Sequence, residues 1–207
     1  MQSLIKLLKD GLNKPLPGIE AQYEMAPLTR AKIDVKTLEP NTYKKSAVVL
    51  LLHNNNGSCY IPLIKRHKYD GKHSNQVGLP GGKFDEGDGN LVNTALRELH
   101  EEVGIKKQDV EILGGLTPLY IPVSNFYVEP FVAFYKHDSI NFNIDEREVK
   151  QLIQLNTSLL KLDSLIESEG IVSGDGYKLK TPYFNVEGEI IWGATAMILN
   201  EFKKLIT

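Results

Sequence analysis

The chain has 207 residues, 42% of them hydrophobic and 24% charged, with a formal net charge of -2 and one cysteine. That length suits one domain with an ordinary core, and the near-neutral charge excludes the field that a long nucleic acid partner would need. A lone thiol excludes an internal disulfide framework and fits a reducing compartment.

The opening stretch, MQSLIKLLKDGL, is interrupted by Lys6, Lys9 and Asp10, so neither a signal-peptide core nor a membrane span is expected. Leu4, Ile5, Leu7, Leu8 and Leu12 fall at helical spacing and predict an amphipathic helix docked on the domain. The chain is expected in the cytoplasm, with no membrane partner. Lys14-Pro15-Leu16-Pro17-Gly18 ends the helix, and the polar, weakly periodic residues 19–44 read as an extended lead. The expected organisation is thus a helical extension over 1–44 packed on a domain formed by 45–207. Ser46 to His53 is a near-continuous apolar run and predicts a buried strand. Asn54-Asn55-Asn56-Gly57 has hairpin-turn chemistry, and Cys59 to Lys65 returns as the partner strand. Cys59 there reads as a packed thiol, not a nucleophile.

Lys65 and Arg66 close that strand and lead into a loop, His67 to Val77, that carries His73, Asn75 and Gln76. Basic and amide side chains suit a phosphate or an adenine ring. Arg66 suits it best, because its planar fork matches phosphate geometry. Lys65 and His73 join it as candidate substrate ligands. A solvated arginine at a strand end is the plain alternative for Arg66.

Gly82 then opens a glycine loop that runs into an amphipathic helix. Leu91, Val92, Ala95, Leu96, Leu99 and Val103 recur at helical spacing, and Gly104 stands where such a helix stops. Glu98, Glu101 and Glu102 lie in its last turns, spread over about 100° of the helix and bordering its apolar face. Like charges four residues apart and the negative helix end both disfavour that placement. A hard divalent cation, Mg²⁺ or Mn²⁺, would resolve both, because it takes carboxylate oxygens together with phosphate oxygens. The plain alternative is a solvated acidic helix end.

Arg97-Glu98-Leu99-His100-Glu101-Glu102-Val103-Gly104-Ile105, after a glycine loop, closely resembles the Nudix box, G-x5-E-x7-R-E-U-x-E-E-x-G-U. The second half matches throughout. In the first half, Asp88 stands for the glutamate, and eight residues, not seven, separate it from Arg97. The Gly-Gly-Lys-x-Asp-x-x-Asp opening with its extra residue resembles the branch that hydrolyses coenzyme A. That branch carries an upstream pattern, L-L-T-x-R-[SA]-x3-R-x3-G-x3-F-P-G-G. Here Leu63, Arg66, Pro80, Gly81 and Gly82 keep its register, while Ile64, His67, Gly71, Asn75 and Leu79 depart from it.

Downstream, Val110 to Ile121 and Tyr127 to Tyr135 predict two strands, and Tyr120 to Phe126 again resembles the coenzyme A branch. An acidic residue following them often helps the metal site in Nudix enzymes, so Glu146 or Glu148 is a candidate; a surface turn is the alternative. Residues 151–166 suggest a short strand and a helical turn, and 164–180 a mobile loop or hairpin. A last strand is expected from Tyr183 to Ile191. A closing helix should pack by Ala196, Leu199, Phe202 and Leu205, with Trp192 as a core anchor.

The resemblance implies an α/β fold, the Nudix α/β/α sandwich with a mixed sheet. It also implies a pyrophosphohydrolase using Mg²⁺ or Mn²⁺ on a small-molecule nucleotide substrate. Glu98 and Glu102 would be metal ligands, Glu101 a third ligand or the proton acceptor, and Gly82 would lend its carbonyl. Arg97 would orient the glutamates. Coenzyme A, cut to 3′,5′-ADP and 4′-phosphopantetheine, leads the substrates. ADP-ribose or another nucleoside diphosphate derivative is the alternative, as is a non-catalytic nucleotide-sensing module. The sequence leaves the oligomeric state open, a homodimer included.

Overall fold

The computed structural model describes residues 1–68, 73–162, 166–172 and 178–207. Its central strand is the apolar run. β1, Lys44–Asn55, buries Leu50, Leu51 and Leu52 completely. A strand buried on both faces needs cover on both, and its alternation supplies two separate cores. Ala47, Val49 and Leu51 face one side, with Leu99 and Val103 of helix α3, Leu91–Val103. Leu50 and Leu52 face the other, with Leu199 and Phe202 of the closing helix. Each such side chain contributes about 1.5–3 kcal/mol by leaving water. The molecule is therefore a three-layer α/β/α sandwich.

In chain order, α1 (Gln2–Leu12) and α2 (Gly18–Tyr23) precede β1. β2 (Ser58–Arg66), β3 (Val77–Gly78) and β4 (Gly81–Lys83) lie between β1 and α3. After α3 come β5 (Val110–Gly115), β6 (Leu119–Ile121), β7 (Phe126–Tyr135), β8 (Val149–Asn156) and a single turn, α4 (Thr157–Leu160). β9 (Ile166–Val172), β10 (Lys178–Val186) and β11 (Glu189–Ile191) form a three-stranded antiparallel sheet before α5, Gly193–Ile206.

β1 runs parallel to β7 from Lys44 to Leu52. On its other edge it changes partner: Ser46 to Val48 pair with β4, and His53 to Asn55 pair with β2 through the Asn56-Gly57 turn. β2 then pairs with β8 and β3. The sheet thus forks between β4 and β2, and the functional residues gather at that fork.

Four sequence expectations need revising. The lead is not wholly extended: Gly18–Tyr23 is helical and packs on α5. The strand expected over 110–121 is two strands, because Leu116 to Pro118 break the ladder. The last strand is likewise two, turned at Glu187-Gly188, both at positive φ. The hairpin reading of 164–180 is not among these, since β9 and β10 pair antiparallel; residues 164–165 and the connection at 173–177 lie outside the described residues. Trp192, expected as a core anchor, is partly exposed at the N-cap of α5. Among the described residues no helix is long and apolar enough to cross a membrane.

Candidate active site

Two caps fix α3, and so fix its carboxylates. Asn90 accepts from the Asn93 amide at 2.9 Å, and Gly104 ends the helix in the left-handed conformation at φ 78°. The helix lies so that Glu102 meets Gly81, and Glu98 meets Gly82, on β4. Glu102 is 1% exposed; its Oε2 accepts the Gly81 amide at 2.9 Å and its Oε1 accepts Arg66 Nη2 at 3.0 Å. The same Nη2 donates to the Gly81 carbonyl at 3.2 Å. Arg66 therefore reaches the carboxylate cluster from the end of β2.

Gly81 is sterically required, and Gly82 leaves the room that the Glu98 carboxylate fills. Gly81 has φ 153°, and a Cβ there would lie 2.6 Å from the Val48 Cα; a Cβ on Gly82 would lie 2.5 Å from the Glu98 carboxyl carbon. Gly81→Ala is expected to cost about 3 kcal/mol or more through backbone displacement and strain, measured by urea unfolding.

Arg97 ties the cluster together. It donates to Asp88 through Nε and Nη2 at 2.8 and 3.1 Å, to Glu98 and Glu101 through Nη1 at 2.8 Å each, and to the Lys83 carbonyl at 3.0 Å. Asp88 also accepts from Thr94 Oγ1 and the Asp85 amide, and Arg97 above all holds its carboxyl well below the usual range. The extra residue before the helix and the shorter acid compensate one another: the 3-10 turn Glu86–Asp88, boxed by Asp85, delivers Asp88 to Arg97.

The acidic turn after β7 hangs from the helix end, with the Asn143 amide on the Val103 carbonyl and the Asp145 amide on the Glu102 carbonyl. Of its two candidates, Glu148 acts electrostatically on both Glu98 and Glu102. Glu146 is exposed, and its carbonyl is engaged by His67 Nε2 at 2.8 Å. A cavity of about 650 Å³ beside this helix end is lined by Glu101, Glu148, Asp145, Arg147 and His100.

Two other candidates have partners of their own. Lys65 pairs with Glu189 of β11 at 2.6 Å, while Arg66, beyond a register shift in β2, meets Glu102. His73 Nδ1 meets Gln76 Oε1 at 3.1 Å. Asp88 as the anchor of Arg97 and Glu189 as the partner of Lys65 were missed by the sequence reading. The shifted acid of the box was a signal for the first; for the second there was none, since the pair joins residues 124 apart.

Burial pushes the Glu102 carboxyl up to about 7, with Glu98 and Glu148 adding to it and Arg66 and the Gly81 amide opposing. Glu98 is raised too, by burial first and then by Glu101 and Glu148, against Arg97. A carboxyl raised from 4.5 to about 7 on folding stabilises the protein most below pH 4.5, and that stability is lost as pH rises through 7. In metal-free buffer the loss should be about 3 kcal/mol, and Glu102→Gln should abolish it; urea unfolding at pH 5 and pH 8 measures the difference.

Among the described residues no three His, Cys, Asp or Glu side chains already converge as a ligand set. Arg97 and Arg66 hold the carboxylates instead. The donor chemistry nonetheless fits a hard cation: all oxygens, crowded enough that neighbouring carboxylates add to the raised carboxyls of Glu98 and Glu102, against a loop whose glycines admit close approach.

Clustered carboxylates on a helix end thus face a glycine loop at a sheet fork. The model of the NUDIX domain matches residues 42–168. The uncharacterized Nudix hydrolase NudL of Yersinia enterocolitica is 34% identical over 145 residues, 70% of this chain and 72% of that protein. NudL of Yersinia pestis (strain Pestoides F) is 35% identical over 150 residues, 70% and 71% respectively. The chain belongs to the Nudix family, and with it to the pyrophosphohydrolases that work with a divalent metal ion. Two solved structures share the fold. The Nudix hydrolase RenU of M. smegmatis has a TM-score of 0.52 at 13% identity, over 87% of this chain and 92% of that one. A MutT/nudix family protein from Enterococcus faecalis has 0.53 at 16%, over 82% and 64%.

Proposed function

We propose that this Nudix hydrolase cleaves the diphosphate of coenzyme A or its derivatives, giving 3′,5′-ADP and 4′-phosphopantetheine, with Mg²⁺ or Mn²⁺, in the cytoplasm. The observation that carries it is the lengthened glycine loop. Its resemblance to the coenzyme A branch lies in the added residue and Asp88, and Asp88 engages Arg97 despite both changes. The catalytic unit is proposed to span 45–207, with 1–44 as a helical extension, acting alone or as a homodimer.

Glu98 and Glu102 would hold the metal, with Glu101, Glu148 or the Gly82 carbonyl completing the set. When bound, the ion neutralises phosphate oxygens and lowers the pKa of water. The protein's own residues do the rest. Arg97 orients Glu98 and Glu101, so that Glu101, if it is not a ligand, accepts the proton of the attacking water. Arg66 fixes Glu102 with one nitrogen and, at 30% side-chain exposure, offers the remainder of its fork to a substrate phosphate. Lys65, held by Glu189, and His73, engaged with Gln76, are left out of the proposed substrate contacts.

The test is turnover of coenzyme A beside ADP-ribose and a nucleoside triphosphate at fixed Mg²⁺, with products identified by mass. Release of 4′-phosphopantetheine supports the proposal. Cleavage of only the other compounds replaces the substrate, and tight binding without cleavage makes the chain a sensor.

A further inference from the structure

His67 directly follows β2, at a position where the coenzyme A pattern has serine or alanine. Its Nε2 meets the Glu146 carbonyl at 2.8 Å, and since a carbonyl oxygen only accepts, Nε2 is the protonated nitrogen. The His67 carbonyl accepts the Asn75 amide at 3.1 Å, which fixes the backbone behind the ring. Serine and alanine have one heavy atom or none beyond Cβ and reach less far than an imidazole. The contact therefore goes with this chain's departure from the pattern.

It falls at a gap between two other supports of the acidic turn. The β2–β8 ladder shifts register between Lys65 and Arg66 and ends at the Arg66–Val149 pair, short of residues 146–148. α3 holds the turn before them, through the Asp145 amide on the Glu102 carbonyl. Between these points Arg147 bonds to the Asp145 carboxylate through its amide and guanidinium, and the Glu148 amide donates to the Asp145 carbonyl at 3.0 Å. Those bonds shape the turn from within, whereas His67 ties it to another segment. Two residues beyond the tied carbonyl stands Glu148, which lines the cavity with Glu101 and acts electrostatically on Glu98 and Glu102. A carboxylate on a turn lends an oxygen to a cation only if the turn is held beside the other ligands, so partners behind the ligands govern metal affinity.

We propose that His67 is a positioning residue: through the Glu146 carbonyl it holds the 146–148 turn so that the Glu148 carboxylate joins Glu98 and Glu102. This rests on Glu148, among the alternatives named above, completing the metal set.

Mn²⁺ titration of the whole protein without substrate tests it in the wild type, His67→Ala, His67→Gln, Glu148→Gln and the double variant His67→Ala/Glu148→Gln. Glu148→Gln should weaken Mn²⁺ binding about tenfold, and His67→Ala about fivefold. His67→Gln puts an amide donor near the place of Nε2 and should bring affinity to within about twofold of the wild type. The double variant should bind no more weakly than Glu148→Gln, because His67 acts through that carboxylate. His67 is exposed, so its replacement removes little packing. Further weakening in the double variant overturns the proposal, as does failure of His67→Gln to recover any of the loss. An unchanged affinity in His67→Ala beside a weakened Glu148→Gln overturns it alone and leaves the bond a structural tie. An unchanged affinity in Glu148→Gln removes Glu148 from the metal set, and the proposal falls with that reading. Kinetics on whichever pyrophosphate compound is cleaved add a check: a raised KM with Mn²⁺ affinity intact would make His67 a substrate contact instead.

Discussion

Glu102→Gln is expected to lower kcat by about a thousandfold, some 4 kcal/mol of barrier, while the protein stays folded. The amide keeps the size of the side chain and can still accept from Gly81, so packing around a residue that is 1% exposed is preserved. What it loses is the anionic oxygen that a hard cation requires. The same change removes a buried charge, so at pH 8 without metal the variant should be more stable than the wild type, not less. Loss of activity with a raised melting temperature is hard to produce by misfolding. Direct Mn²⁺ titration should show weakened binding, and wild-type turnover would remove Glu102 from the ligand set.

Arg97→Met is expected to cost about 2–3 kcal/mol of stability and about a hundredfold in kcat. One guanidinium serves three carboxylates, and the side chains of Asp88 and Glu98 are only 6% and 14% exposed. Removing the cation leaves an acid with little solvent and no counter-charge, whose protonation or displacement costs several kcal/mol when fully buried. The partial exposure of Arg97 itself, 31%, reduces that figure through solvent screening. Asp88→Asn should be milder, since it removes one charge and leaves hydrogen bonds available. If Arg97→Met loses kcat but little KM, Arg97 positions the glutamates; a dominant rise in KM would mean that it touches substrate.

Much of this architecture was legible because its signals are local. The apolar run at Ser46 to His53, the Asn-Asn-Asn-Gly turn, and the Leu91–Val103 face closed by Gly104 each specify one element without outside help. The six-residue α2 has no such signal. It exists because Gln22 donates to Glu201 at 2.8 Å and Asn200 donates to the Ala21 carbonyl at 2.7 Å, contacts with a distant helix. The break between β5 and β6 has a similar cause, since Glu201 takes the Thr117 amide and hydroxyl away from any ladder. At the site, helical spacing placed Glu98, Glu101 and Glu102 on one flank, but pattern could not show Arg66 arriving at Glu102. That pair depends on how β1 changes partners along its edge, which is a property of the whole sheet.

The fully buried Glu201 carboxylate gathers donors from Gly18, Gln22 and Thr117. The contacts between α2 and α5 span 183 and 179 residues of chain. During synthesis, α2 emerges early and must remain without its partner until α5 has been made. The sheet and the acidic helix can assemble in that interval, while α2 and the break before β6 wait. Closing so long a loop is slow, and the reward comes only at the end. A ribosome stalled before α5 should therefore display a sheet whose face opposite α3 has the cover of α1 but lacks that of α5, leaving a surface for chaperones rather than for solvent.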